Sequence, residues 1–155
     1  MPKCNSCPFT VECVSFNSGV INLRPVKIKR NTIKTRYLNY FIIRYNEQFI
    51  IQQRGSNDIW KKLYELPLIE STQELNKEQL IKHNYLKKNH IKNIKHVSSI
   101  KHKLTHQNLK INFWETWMKK INLENNSFKI TIYDVPKYPF PKPLKIYFDK
   151  EYASI

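Results

Sequence analysis

Cys4, Cys7 and Cys13 fall within the first thirteen residues, and residues 14–155 hold no other cysteine. The spacing C-x2-C-x5-C, with Pro8 after the second sulfur, has the form of a metal-ligand loop. Three readings compete for it. Four thiolates hold a 4Fe–4S cluster, and here three can be counted, so an iron–sulfur site lacks one ligand. Zinc accepts mixed thiolate and imidazole sets, but the nearest histidine in the chain is His83. The thiols can also be incidental. A Cys4–Cys7 disulfide would strand the third sulfur, and an odd cluster of thiols fits a reducing, cytoplasmic setting.

A second chemistry-bearing group lies at Leu104-Thr105-His106, at the turn between two expected strands. A hydroxyl and an imidazole at a strand-connecting turn can each donate to or accept from a base edge. A plain turn with a surface histidine is the simpler alternative. His102 and His106 would make a metal pair only on a helix, and this stretch reads as strand and turn. A third group is cationic. Arg24, Lys27, Lys29, Arg30, Lys34 and Arg36 form an almost acid-free run, suited to a solvated connector or to tracking phosphates.

The whole chain carries 27 Lys and Arg against 12 Asp and Glu, a formal charge of +15, which makes polyanions its natural partners. The abundance of Lys, Ile and Asn with only two glycines is also what AT-rich coding produces, so charge alone does not decide the partner. At 41% hydrophobic and 13% aromatic, the composition is that of a packed domain rather than a disordered chain. No apolar run approaches the roughly 20 residues of a membrane span.

These groups need a scaffold, and hydrophobic patterning supplies it. Residues 1–15 form the cysteine loop and 16–36 a basic connector broken by Asn17-Ser18-Gly19 and Pro25. Residues 37–155 form the domain. Within it, 37–45 and 49–54 make a hairpin, 59–67 an irregular stretch ending at Pro67, and 73–88 one amphipathic helix capped by Ser71 or Thr72. Strands are expected at 95–103, 108–118 and 128–135, and a last helix opens at Pro141 or Pro143 and runs to about 152. The order implies an α+β fold, a mixed sheet packed with helices.

Four segments then resemble one family in register. Pro2-Lys3-Cys4-x2-Cys7-Pro8-x4-Cys13 is similar to the end of the C-x6-C-x2-C-x5-C loop of A/G-specific adenine DNA glycosylases, the MutY family. Asp58 to Pro67 (DIWKKLYELP) resembles its L-W-x-G-L-W/Y-x-F-P stretch, with Lys62 where the family has glycine. Lys101 to His106 (KHKLTH) resembles R/K-H-x-F-S/T-H, with Leu104 in place of Phe. Tyr138 to Lys142 (YPFPK) is similar to the approach to the terminal helix.

The resemblance implies a Nudix-like domain that recognises 8-oxoguanine opposite adenine in double-stranded DNA. It implies a helix-hairpin-helix glycosylase domain as partner, carrying the catalytic carboxylates, and a 4Fe–4S cluster with its first cysteine before Met1. On that basis the chain binds DNA but excises no adenine. Thr105 would contact the lesion, His106 would support it or touch phosphate, and Leu104 would stack more weakly than Phe. The competing activity, Nudix-type pyrophosphate hydrolysis, needs several carboxylates facing Mg²⁺ in an R-E-x-x-E-E array. Glu70, Glu74 and Glu78 stand in that region without the motif. A basic nucleic-acid-binding module without lesion specificity is the other alternative.

Overall fold

The computed structural model describes residues 2–26, 33–118, 123 and 126–152. It divides into two compact units, Met1–Thr32 and Ile33–Ile155. The first is a string of single turns: a 3-10 turn at Cys4–Ser6, helix α1 at Val14–Asn17 and a second 3-10 turn at Ile21–Leu23, none with a buried residue. The Thr10 hydroxyl ties its loops, reaching the carbonyls of Cys4 and Cys7 at 2.6 Å each.

The second unit is built on β1 (Lys34–Tyr45), whose residues are buried from Leu38 to Ile43 on both faces. Such continuous burial requires pairing on both edges and cover above and below. Along one edge runs β6 (Gln107–Trp117), parallel to β1 from Lys34↔Gln107 to Arg44↔Trp117. That pairing starts β1 three residues before the aromatic run that reveals it in the sequence. The other edge is shared. β2 (Gln48–Gln53) pairs antiparallel at the hairpin end, across a turn where Asn46 takes φ 53°, a left-handed conformation asparagine tolerates better than most residues. β4 (Leu68–Ser71) pairs with Tyr37–Tyr40. β3 (Tyr64–Glu65) and β7 (Ser127–Thr131) flank β2, and β5 (Lys95–Lys103) borders β6. The result is an α+β fold with a seven-stranded mixed sheet.

One face carries Leu38, Tyr40, Ile42, Leu109, Ile111 and Phe113 under α4 (Lys142–Tyr152), which contributes Leu144, Tyr147 and Phe148. The Phe113 and Tyr147 rings stack with centroids 4.0 Å apart. On the other face Phe41, Ile43, Ile50, Ile69 and Trp114 meet Leu80, Leu86, Ile91 and Ile94.

Two elements differ from their sequence expectation. The helix expected over 73–88 is two short ones, α2 (Lys77–Ile81) and α3 (Asn84–Lys88). Asn76 and Gln79 close a capping box at 2.9 Å in each direction, and extended His83 accepts the Tyr85 amide at 3.3 Å. Each cap satisfies orphan amides and starts a helix anew. Ser71 belongs to β4 instead. The strand expected over 128–135 ends at Thr131, where Thr131 and Asp134 form another capping box and a 3-10 segment, Ile132–Lys137, takes over. Among the described residues no helix is long and apolar enough to cross a membrane.

Candidate nucleic-acid interface

A cleft of about 800 Å³ opens where β1 and β6 begin, walled by the 56–61 loop and the end of β4. Its floor is organised by Arg36. The guanidinium Nε and Nη2 donate to the two carboxylate oxygens of Glu70 at 2.6 and 2.7 Å, and Nη1 and Nη2 to those of Asp58 at 3.1 and 3.0 Å. Nη1 also reaches Gln107 Oε1 at 3.1 Å. Forked pairing of this kind fixes geometry as well as charge. The hydrogen bonds from Arg36 hold the Asp58 carboxyl down at about 2, helped by the Ile59 amide. Asp58 also binds Arg54, which in turn binds Glu65. Burial raises the Glu65 carboxyl, while Arg54, Gln52 and Tyr40 pull it back. The chain Glu70–Arg36–Asp58–Arg54–Glu65 thus joins β1, β3, β4, the residue following β2 and the loop. Sequence reading assigned Arg36 to phosphate and missed this network. Its local trace, Arg54 and Asp58 four apart in a loop, carries little signal.

Beside the cleft lies the β5–β6 turn. The Leu104 amide donates to the Gln107 carbonyl at 2.8 Å, and the Lys34 amide to the His106 carbonyl at 3.3 Å. The second bond sets the turn against the start of β1. Thr105 and His106 are exposed, and among the described residues their side chains have no partner. Leu104 is half-buried against the core under α4, so it anchors the turn that displays its two neighbours. Lys34 is exposed on the cleft wall. Arg24 is exposed in the first unit. Lys27, Lys29 and Arg30 lie outside the described residues.

Trp60 and Tyr64 pack against the core as their aromatic character suggests, Tyr64 edge-on to Phe128 and Tyr138 with centroids 5.8 and 5.0 Å away. Lys62, in the place of the family glycine, keeps a left-handed backbone at φ 63°.

The other expected sites are dispersed. Glu70 is held by Arg36, Glu74 lies 3.8 Å from Lys110, and Glu78 is exposed on α2. Among the described residues no three Cys, His, Asp or Glu side chains are gathered as a metal ion requires. Cys4, Cys7 and Cys13 are free thiols, Cys7 exposed and Cys4 and Cys13 partly buried.

Residues 39–150 match the NUDIX domain family. The chain is 32% identical over 142 residues to the adenine DNA glycosylase of Buchnera aphidicola subsp. Baizongia pistaciae, covering 86% of this chain and 37% of that protein. With the adenine DNA glycosylase of Buchnera aphidicola subsp. Schizaphis graminum it shares 32% over 113 residues, 71% of this chain and 30% of the relative. It therefore spans only about a third of the length of these relatives. Its fold is similar to the C-terminal domain of mouse MUTYH, solved in complex with human PCNA, at TM-score 0.58 and 10% identity over 76% of this chain and 89% of that one. It is also similar to the MutT protein of Methanosarcina mazei Go1, at TM-score 0.58 and 10% identity over 80% and 95%.

Proposed function

For a chain that belongs to the NUDIX domain family, we propose a reading role in DNA repair: recognition of 8-oxoguanine opposite adenine, in partnership with a helix-hairpin-helix glycosylase domain that removes the adenine. The observation that carries this reading is the β5–β6 turn. Leu104 anchors it in the core, the Lys34–His106 backbone bond sets it against the cleft, and Thr105 and His106 are left facing solvent with unpaired polar groups. The adenine DNA glycosylases to which the chain is similar supply the substrate class.

The chemistry is binding chemistry. The oxidised base differs from guanine at its Hoogsteen edge, where a carbonyl replaces C8–H and N7 becomes a donor. A hydroxyl that accepts from N7–H or donates to the new carbonyl prefers the lesion, because the intact base answers it differently. Lys34 and the connector cations Arg24, Lys27, Lys29 and Arg30 take phosphates. Arg36, committed to Asp58 and Glu70, shapes the cleft wall. Energy gained on the lesion strand lowers the cost of extruding the opposite adenine into the partner domain. The cysteines enter as the edge of a cluster loop that takes a fourth thiolate besides these three.

The purified chain is expected to bind a duplex containing A·8-oxoguanine more tightly than the same duplex with A·G, and to release no adenine. Thr105→Val should erase most of that preference, a loss of roughly 1–3 kcal/mol of discrimination, while leaving binding to the undamaged duplex unchanged. Fluorescence anisotropy with the two duplexes reads both. Equal affinity for damaged and intact DNA in the parent chain, or a preference that survives in Thr105→Val, overturns the reading.

A further inference from the structure

Helices α2 and α3 cover only part of the sheet face they lie on. Leu80 and Leu86 pack over Phe41, Ile43 and Trp114, toward the later halves of β1 and β6. Nearer the β5–β6 turn the same face is open along β5, where Ser99, Lys101 and Lys103 are exposed, while Asn39 on β1 is buried. Register makes two rungs across β1, β6 and β5: Tyr37–Lys110–Lys101 and Asn39–Asn112–Ser99. Directly paired residues share a face, and like charges opposite one another destabilise a sheet. Lys101 faces Lys110 in this way, whereas Lys95, at the far end of β5, faces Glu115.

The Lys110 ammonium is held over the Tyr37 ring at 4.9 Å and donates to its hydroxyl at 3.3 Å. Its one acid among the described residues is Glu74, 3.8 Å away and 70% exposed. Lys101 and Lys103 are exposed and have no acidic partner among the described residues. Two positions apart on a strand, they stand roughly 6.8 Å from each other, close to the spacing of successive phosphates along a nucleic-acid strand. Beside them Ser99 donates to Asn112 Oδ1 at 2.7 Å, a neutral polar floor. A repulsive lysine rung set on such a floor is what a bound anion would relieve.

We infer that this strip is a backbone track: Lys101, Lys110 and Lys103 take phosphates of a DNA strand that continues from the β5–β6 turn, and Glu74 competes with that strand for Lys110. The inference rests on the proposed DNA-binding role for the identity of the polyanion, and its test is independent of lesion recognition.

Lys101→Glu separates the track from a structural role. It turns a like-charge rung into an opposite-charge one, so the thermal midpoint should hold or rise. Affinity for a lesion-free duplex at low salt should fall about tenfold, and the slope of log K against log salt should become shallower by about one. Glu74→Gln should tighten binding a few-fold. An unchanged salt slope and affinity in Lys101→Glu, or a weakened affinity accompanied by a lower midpoint, overturns the track. The lesion reading fails on a different observation, equal affinity for A·8-oxoguanine and A·G in the parent chain, so the two can fall separately.

Discussion

Asp58 receives two guanidiniums, from Arg36 and Arg54, and takes the Ile59 amide as well. Its carboxyl is held at about 2 against an ordinary value near 3.8. A depressed carboxyl contributes stability that is complete above its unfolded value and disappears as pH falls through the folded one. Stability should therefore decline between about pH 4 and pH 2 through this residue. Asp58→Asn should flatten that part of the profile and cost about 2 kcal/mol at neutral pH, since two partly buried guanidiniums lose their shared counter-charge. Urea unfolding across that pH range checks both. An unaltered acid limb in the variant would show that the network does not work this way. Little of this was legible beforehand, because Arg36 and Glu70 lie 34 residues apart and nothing local marks them as partners. At Lys62, where the resembled family has glycine, the sequence left the backbone conformation open, and the chain takes a left-handed φ of 63° with a side chain present.

The division between α2 and α3 shows how short elements are decided. The apolar spacing of Leu75, Leu80, Ile81, Tyr85 and Leu86 is that of one long amphipathic helix, and periodicity alone cannot see a break that preserves the buried face. Leu80 and Leu86 are both fully buried although they belong to different helices. The break lies in the capping chemistry, where Asn76, Gln79 and His83 compete locally with helix continuation. Asn76→Ala should lower stability by about 1 kcal/mol without altering the spectrum of aromatic packing, as thermal unfolding and near-ultraviolet dichroism would record. No loss of stability would mean that the Asn76–Gln79 box is dispensable. The strands were easier to read. β6 is long and carries β-branched and aromatic residues, β5 is long with Val97 and Ile100 among polar residues, and the proline-marked start of α4 coincides with Lys142. Short β4 escaped notice because four residues carry too little pattern, and its existence follows from the free edge of β1 that it fills.

At the scale of the molecule, the two units differ in kind. Residues from Ile33 onward hold two cores, one on each face of the sheet, while the turns of the first unit bury nothing, and Phe9, Val11 and Val14 are exposed. Folding stability should reside in the second unit. A chain beginning at Ile33 is expected to unfold cooperatively with a midpoint within a few degrees of the full chain, as calorimetry can measure. A collapse of the transition would show that the first unit supports the second. Charge was legible at this scale as a sum, +15, but its arrangement was not: the fold neutralises Arg36, Arg44 and Arg54 internally and leaves lysines outward. One such arrangement bears on self-association. Among the described residues β5 pairs with β6 and with no other strand, so its outer border is a template on which a second copy of the chain could add a strand. Lys95, Lys101 and Lys103 stud that border, and two such rows brought together would repel. Replacing one of these lysines with an apolar residue is therefore expected to raise the tendency of β5 edges on two copies to pair, beyond the loss of its own contacts.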